Sequence, residues 1–257
     1  MITPGLVSVS FRTLTPQTIV DLCVRAGVTG IEWGGDIHAP HGDLARARLV
    51  RQMTADAGLT VASYGSYYRV GVGEPCPFET VLETAEALGA PVIRVWAGKK
   101  GSVDADADDR HLVVSDSLRC ADLAAQAGMA VAYEWHGGTL TDTNDSARWL
   151  LDTVAGRNIK SYWQPPLYTS VAYNLAGLQV VERCLSNVHV YHWHIDSAER
   201  LPLLAGEGVW MQYLARVAAI PGARSAMLEF VKDDEPENFV KDAATLKEWL
   251  ARVAQAP

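Results

Sequence analysis

Eight times along the chain, a short run rich in Val, Ile and aromatic residues gives way to an Ala-, Leu- and charge-rich segment of helical period. The runs that read as strands are Leu6–Ser10, Gly30–Gly34, Thr60–Ser66, Pro91–Ala97, Ala130–His136, Ile159–Gln164, Val188–Asp196 and Ser225–Val231. The helical segments are Pro16–Ala26, Leu44–Ala57, Phe78–Leu88, Asp109–Ala127, Asp145–Ala155, Ala172–Arg183, Val209–Ala219 and Pro236–Ala254. The punctuation agrees. Thr15-Pro16 caps the first helix and supplies its first residue, and Asn144 is placed to cap the fifth. Gly27, Gly58, Gly89, Gly128, Gly156 and Gly222 stand where helices end in a left-handed residue. No linker or change of composition interrupts the pattern. Eight βα units in 257 residues predict an α/β fold, a (β/α)8 barrel forming a single domain over residues 1–257. An open doubly wound sheet is the alternative, but its Gly-rich first turn is missing from Ser8–Leu14.

The formal net charge is −8 and no basic run is longer than Lys99-Lys100, which argues against nucleic acid as a partner. No apolar stretch approaches a membrane span, and the first residues lack the pattern of a secretory signal. Cys23, Cys76, Cys120 and Cys184 are far apart and form no C-x-x-C, so a reducing, cytoplasmic setting is expected.

In a barrel, the groups that do chemistry gather at the C-terminal ends of the strands. The stretch AVAYEWHGGTLTDT (Ala130–Thr143) puts Ala132, Glu134 and His136 on one strand face and Val131, Tyr133 and Trp135 on the other. Strand seven, VHVYHWHID, carries His192, His194 and Asp196 on one face. Strand eight brings Glu229 into an apolar alternation, and strand six ends in Gln164 before two prolines. Glu134, Gln164, His194 and Glu229 together make an oxygen-rich set with one nitrogen. Such a set suits Mn2+, Mg2+ or Co2+, with Zn2+ also able to bind.

On these residues the chain resembles the xylose-isomerase-like TIM barrels, the sugar isomerase/epimerase superfamily that also contains ketose 3-epimerases and endonuclease IV. The resemblance implies metal ligands Glu, Asp, His and Glu on strands five to eight, here Glu134, Gln164, His194 and Glu229. It also implies a substrate-binding arginine six positions after the histidine, which is Arg200, and a later G-x-G…W, matched by Gly206-Glu207-Gly208 and Trp210. Gln164 departs from the usual aspartate: it either coordinates through its carbonyl oxygen, with weaker metal affinity, or stands behind the ligands as a supporting amide. The implied chemistry is an isomerase or epimerase acting on a small ketose or related carbohydrate-like molecule through an enediolate, with Glu134 and Glu229 as acid and base. Barrels of this family commonly pair, which leaves a homodimer open.

Each of these residues has a plainer reading. Glu134 and Glu229 could form a salt bridge in the barrel lumen with Arg94, and His192 could orient a neighbouring side chain. His136 could contact substrate, act as a base, or bond a backbone carbonyl. Trp33, Tyr64, Tyr67, Tyr68 and Trp96 could wall a sugar ring or simply pack, with Trp33 and Trp96 the first choices as substrate contacts. His38 and His41 read as an exposed loop, and His111 and His189 carry no argument. The second function is a lyase: Glu134-Trp135-His136 with Thr139-Leu140-Thr141-Asp142 resembles the E-x-H…T-L-T-D stretch of 3-dehydroshikimate dehydratases, with His136 as base. An endonuclease IV-like phosphodiesterase and a non-catalytic sugar-binding barrel come third and fourth.

Overall fold

The computed structural model describes residues 1–255. Its eight barrel strands are β1 (Ile2–Val7), β2 (Gly30–Gly34), β3 (Thr60–Arg69), β4 (Val92–Trp96), β5 (Ala130–Tyr133), β6 (Ile159–Trp163), β7 (Leu185–Val190) and β8 (Arg224–Leu228). They pair in parallel, each beside its sequence neighbour, and β8 closes on β1. Helices α1 (Pro16–Ala26), α2 (Leu44–Asp56), α3 (Phe78–Leu88), α4 (Ala107–Gln126), α5 (Asn144–Thr153), α6 (Val171–Val181), α7 (Glu207–Ala219) and α8 (Pro236–Ala254) surround them. The expected α/β barrel is the fold found.

Strands buried on both faces must be apolar nearly throughout, and β2 (GIEWG) and β4 (VIRVW) are so except for one charge each. Most of the core lies between strands and helices, while the lumen floor is a small cluster of Val7, Val92, Ala130, Ala132, Tyr162 and Met227. Gly5 belongs to that floor: a Cβ there would lie 2.9 Å from the Gly30 carbonyl and 3.0 Å from Met227. The apolar floor raises the polar lumen residues toward the C-terminal mouth.

Three local expectations are corrected. β1 begins at Ile2 and ends at Val7, with Ser8–Phe11 forming a 3-10 turn. The T-P-G of Thr3–Gly5 reads as punctuation, yet Pro4 needs only its carbonyl, which accepts from Thr29 N at 2.9 Å. Thr143, not Asn144, caps α5 through its hydroxyl, and Asn144 instead donates its side-chain amide to the Tyr173 carbonyl at 2.9 Å. β7 lies earlier than expected, at Leu185–Val190, because its polar Asn187 finds partners inside the barrel. Asn187 donates to Tyr162 Oη at 3.0 Å and accepts from Ser225 N at 2.9 Å. Among the described residues, no helix is long and apolar enough to cross a membrane.

On α8, Asp242 is buried with its Oδ1 accepting the Leu203 N–H at 2.9 Å, and burial raises its pKa to about 6. A carboxyl whose folded pKa exceeds its unfolded value, near 3.9, weakens the fold as pH rises through the interval between them. Asp242→Asn should therefore be more stable than the parent at pH 8, by of order 1–2 kcal/mol, and equal to it below pH ~4. Paired denaturant titrations at the two pH values test this, and a difference independent of pH would refute it.

Candidate active site

Four side chains converge at the C-terminal mouth because each comes from, or directly follows, a short lumen-lining strand. Glu134 follows β5 and extends its ladder by donating to the Val95 carbonyl at 2.9 Å. Glu229 does the same after β8, donating to Val190 at 3.0 Å. Gln164 follows β6, and His189 lies within β7. His189 Nδ1 is 2.7 Å from Gln164 Oε1, 3.3 Å from Glu229 Oε2 and 3.8 Å from Glu134 Oε1. Its Nε2 faces Glu32 Oε1 at 3.7 Å. All of these groups are buried.

Beneath them, Arg94 of β4 joins two carboxylates. Its Nε donates to Glu32 Oε1 at 2.7 Å, and its Nη1 contacts Glu134 Oε2. Trp96 Nε1 donates to the same Glu134 oxygen at 2.5 Å. Glu32 also accepts from Ser63 Oγ at 2.8 Å. Gly65 makes room for this: a Cβ there would lie 2.8 Å from Arg94 Nη2 and 2.9 Å from Glu32 Oε1.

The pairing outweighs desolvation. Burial alone would raise the Glu32 pKa, but Arg94, His189 and Ser63 hold it below the usual carboxylate range. Burial would likewise lower the His189 pKa, yet Glu229 and Glu32 lift it to about 9. Three carboxylates thus face one guanidinium and one imidazolium, an excess of one negative charge. A divalent cation in place of the imidazolium proton would bring the cluster to neutrality. With an aspartate at 164 it would not, which gives the amide there an electrostatic logic. Glu229 Oε2 is buried without a hydrogen-bond partner, so the donor set fits a cation held by Glu134, His189 and Glu229, with Gln164 Oε1 beside them.

The structure corrects the histidine. His194 is exposed, four residues beyond the end of β7, and its ring accepts from Asp196 N at 3.2 Å. The chain leaves the barrel at Tyr191 and enters an antiparallel ribbon in which His192–Trp193 pairs with Arg200–Leu201. His192 lines an adjoining groove rather than the cavity. Trp33 points outward, fully buried, and donates to Thr54 Oγ1 at 3.2 Å. His38 and His41 are not solvent-facing loop residues: His38 Nδ1 lies 2.9 Å from Ser8 Oγ, and His41 Nδ1 lies 2.8 Å from Tyr64 Oη. Trp96 and Arg200 do line the cavity, as do Tyr67, Glu134, His136, Gln164 and Glu229, around a volume of about 840 Å3.

The loop after β5 is built by its hydroxyls. Thr141 Oγ1 donates to the Glu134 carbonyl at 2.6 Å and Thr139 Oγ1 to the His136 carbonyl at 2.7 Å. Asp142 accepts from Ser102 N at 2.8 Å, tying in the loop after β4. His136 lies over Trp96, with ring centroids 4.6 Å apart. Its Nδ1 is 2.6 Å from the Gly137 carbonyl, which can only accept, so Nδ1 carries the proton and Nε2 keeps its lone pair. Burial lowers its pKa, which favours the neutral ring.

Residues 20–251 match the family described as xylose isomerase-like TIM barrel. A curated 3-dehydroshikimate dehydratase of Bacillus anthracis is 30% identical over 169 residues, 61% of this chain and 59% of that protein, less than two thirds of its length. The crystal structure of the probable 3-DHS dehydratase from the same organism superposes with a TM-score of 0.79 at 20% identity, covering 96% of this chain and 99% of that one. D-psicose 3-epimerase from Clostridium cellulolyticum H10 gives 0.73 at 12% identity, covering 99% of this chain and 100% of that one. At those identities the superpositions establish the fold alone.

Titration with Mn2+ followed by calorimetry separates the two histidines. His189→Gln and Glu229→Gln should each weaken binding by ~10-fold or more, while His194→Ala leaves it unchanged. Loss of binding in His194→Ala with retention in His189→Gln would reverse the assignment.

Proposed function

The chain belongs to the xylose isomerase-like TIM barrel family, and from that premise we propose that it is a lyase dehydrating a cyclic β-hydroxy ketone of the 3-dehydroshikimate type. The observation that carries this reading is the state of His136. Its proton is committed to the Gly137 carbonyl and its free Nε2 belongs to a ring lining the cavity, as a general base requires. The 30% identity with a dehydratase supports the same reading. Glu134, by contrast, is engaged by Arg94 and Trp96, which disfavours an epimerase that needs two free glutamates on opposite faces of one carbon.

His136 Nε2 removes a proton from a carbon activated by the ketone, and the C–H electron pair moves into the carbonyl as an enolate. Collapse of the enolate expels the β-hydroxyl, and the His136 imidazolium returns the same proton so that water departs. No redox partner is needed. Glu134, Gln164, His189 and Glu229 would hold a divalent cation, which when bound supplies a Lewis acid to the carbonyl side of the substrate. Arg94 and Trp96 hold Glu134 in place, and Thr139 and Thr141 fix the backbone from which His136 projects. The substrate is a small molecule rather than nucleic acid, and the unpaired cysteines suit the cytoplasm. The isomerase reading keeps one specific support: Glu229 Oε2 accepts no hydrogen bond, although it lies 3.3 Å from His189 Nδ1, and a carboxylate so placed can act as a base.

Incubation with a pool of ketoses and 3-dehydroshikimate in D2O, with Mg2+ or Mn2+, decides between the two by mass spectrometry. The expected outcome is loss of water from 3-dehydroshikimate, reduced ~10^2-fold or more in His136→Gln. The acid limb of kcat/KM should fall below the ordinary imidazole value, because burial lowers the His136 pKa and protonation removes the base. Deuterium entering a ketose without mass loss, undiminished in His136→Gln but lost in Glu229→Gln, would establish the isomerase instead.

A further inference from the structure

A 3-dehydroshikimate-type acid carries a carboxylate on its ring, and the cavity must meet it with a cation. Three arginines line the cavity: Arg12, Arg94 and Arg200. Arg94 is taken by Glu32 and Glu134. Arg200 donates to Asp234 at 2.5 Å and lies over the Phe230 ring at 5.3 Å. Arg12 is paired to a similar degree but is more exposed than Arg200, whose side chain is 36% exposed. Arg12 Nη1 donates to Asp36 at 2.5 Å, its Nη2 reaches only the Tyr67 hydroxyl at 3.3 Å, and its side chain is 49% exposed. A guanidinium has five N–H donors, so donors remain for a ligand.

Tyr67 adds an independent observation. Its φ is 56°, a left-handed conformation that a tyrosine adopts only under constraint. It sits in an irregularity of β3, between the pairs Gly65↔Arg94 and Tyr68↔Val95. Ser66 locks the irregularity by donating to the Arg94 carbonyl at 2.6 Å and accepting from Tyr68 N at 3.2 Å. Bulges of this kind re-aim side chains beside active sites. Here the result is a continuous wall: the Tyr67 ring meets Trp96 edge-on at 5.3 Å, and Trp96 lies against His136. The base stands at one end of the wall and the guanidinium at the other. Burial raises the Tyr67 pKa, so the phenol keeps its proton and can donate it.

We infer that Arg12 and the Tyr67 hydroxyl form the subsite that receives the carboxylate of a cyclic hydroxy acid, and that this subsite selects such acids over neutral ketoses. The inference deepens the dehydratase reading and rests on it for the substrate class. Shikimate, which lacks the reactive ketone, and its uncharged methyl ester are suitable probes by calorimetry, alongside kinetics on 3-dehydroshikimate. The wild type should bind shikimate at least ~10-fold more tightly than the ester. Arg12→Met should abolish that preference and raise KM ~10–100-fold, with kcat within ~3-fold. Arg12→Lys should keep part of the preference, and Tyr67→Phe should raise KM ~3–10-fold. Equal affinity of acid and ester for the wild type overturns the subsite, as does a preference that survives Arg12→Met. A wild type that prefers the acid but never dehydrates 3-dehydroshikimate sinks the dehydratase reading and leaves the subsite standing. Dehydration without a preference for the acid does the reverse.

Discussion

Arg94 is the constraint on which the mouth of the barrel depends. It is a guanidinium buried in a lumen whose floor is apolar, and it is tolerable there only because Glu32 and Glu134 neutralise it from two sides. Those contacts decide much of what surrounds them. They require glycine at 65, and they turn Glu134 toward His189 and Glu229. They also occupy Glu134 Oε2, whereas Glu229 Oε2 is buried without a hydrogen bond and lies 3.3 Å from His189 Nδ1. Removing either partner would strand a buried charge, so the ion pairs and the shape of the site stand or fall together.

Above that charged layer the site has two halves of different character. One is polar and buried, and its excess negative charge suits a divalent cation. The other is an aromatic wall, Tyr67, Trp96 and His136, with polar atoms at its ends. The hydroxyls of Thr139 and Thr141 belong to this arrangement because they satisfy carbonyls that no strand partner reaches once β5 has ended.

Much of this was legible in the sequence. Gly30–Gly34, Pro16–Ala26, Phe78–Leu88 and Pro236–Ala254 have the bounds that their patterns imply, because glycines, prolines and hydrophobic period act locally. Glu134 and Glu229 stood out as charges in apolar alternations at strand ends. His189 did not. In VHVYHWHID every residue suits a strand, so the run conceals that the barrel strand stops at Val190. A family spacing then drew attention to His194, on an exposed turn. Parity alone contained a usable signal: with β7 starting at Leu185, His189 faces the lumen beside β8. Trp33 illustrates the opposite error, since an aromatic near a strand end lies inside or outside the barrel by a single residue of register.

What the sequence determined by itself was the list of elements, their order and the polar residues near strand ends, since each is set by chemistry within a few neighbouring positions. Tertiary structure decided which histidine joins the two glutamates, which glutamate is held by Arg94, and which face of His136 keeps its lone pair. Those outcomes depend on where strands stop and on contacts such as Arg94 with Glu32, 62 residues apart in the chain. No local pattern records a distance that only the closed barrel creates.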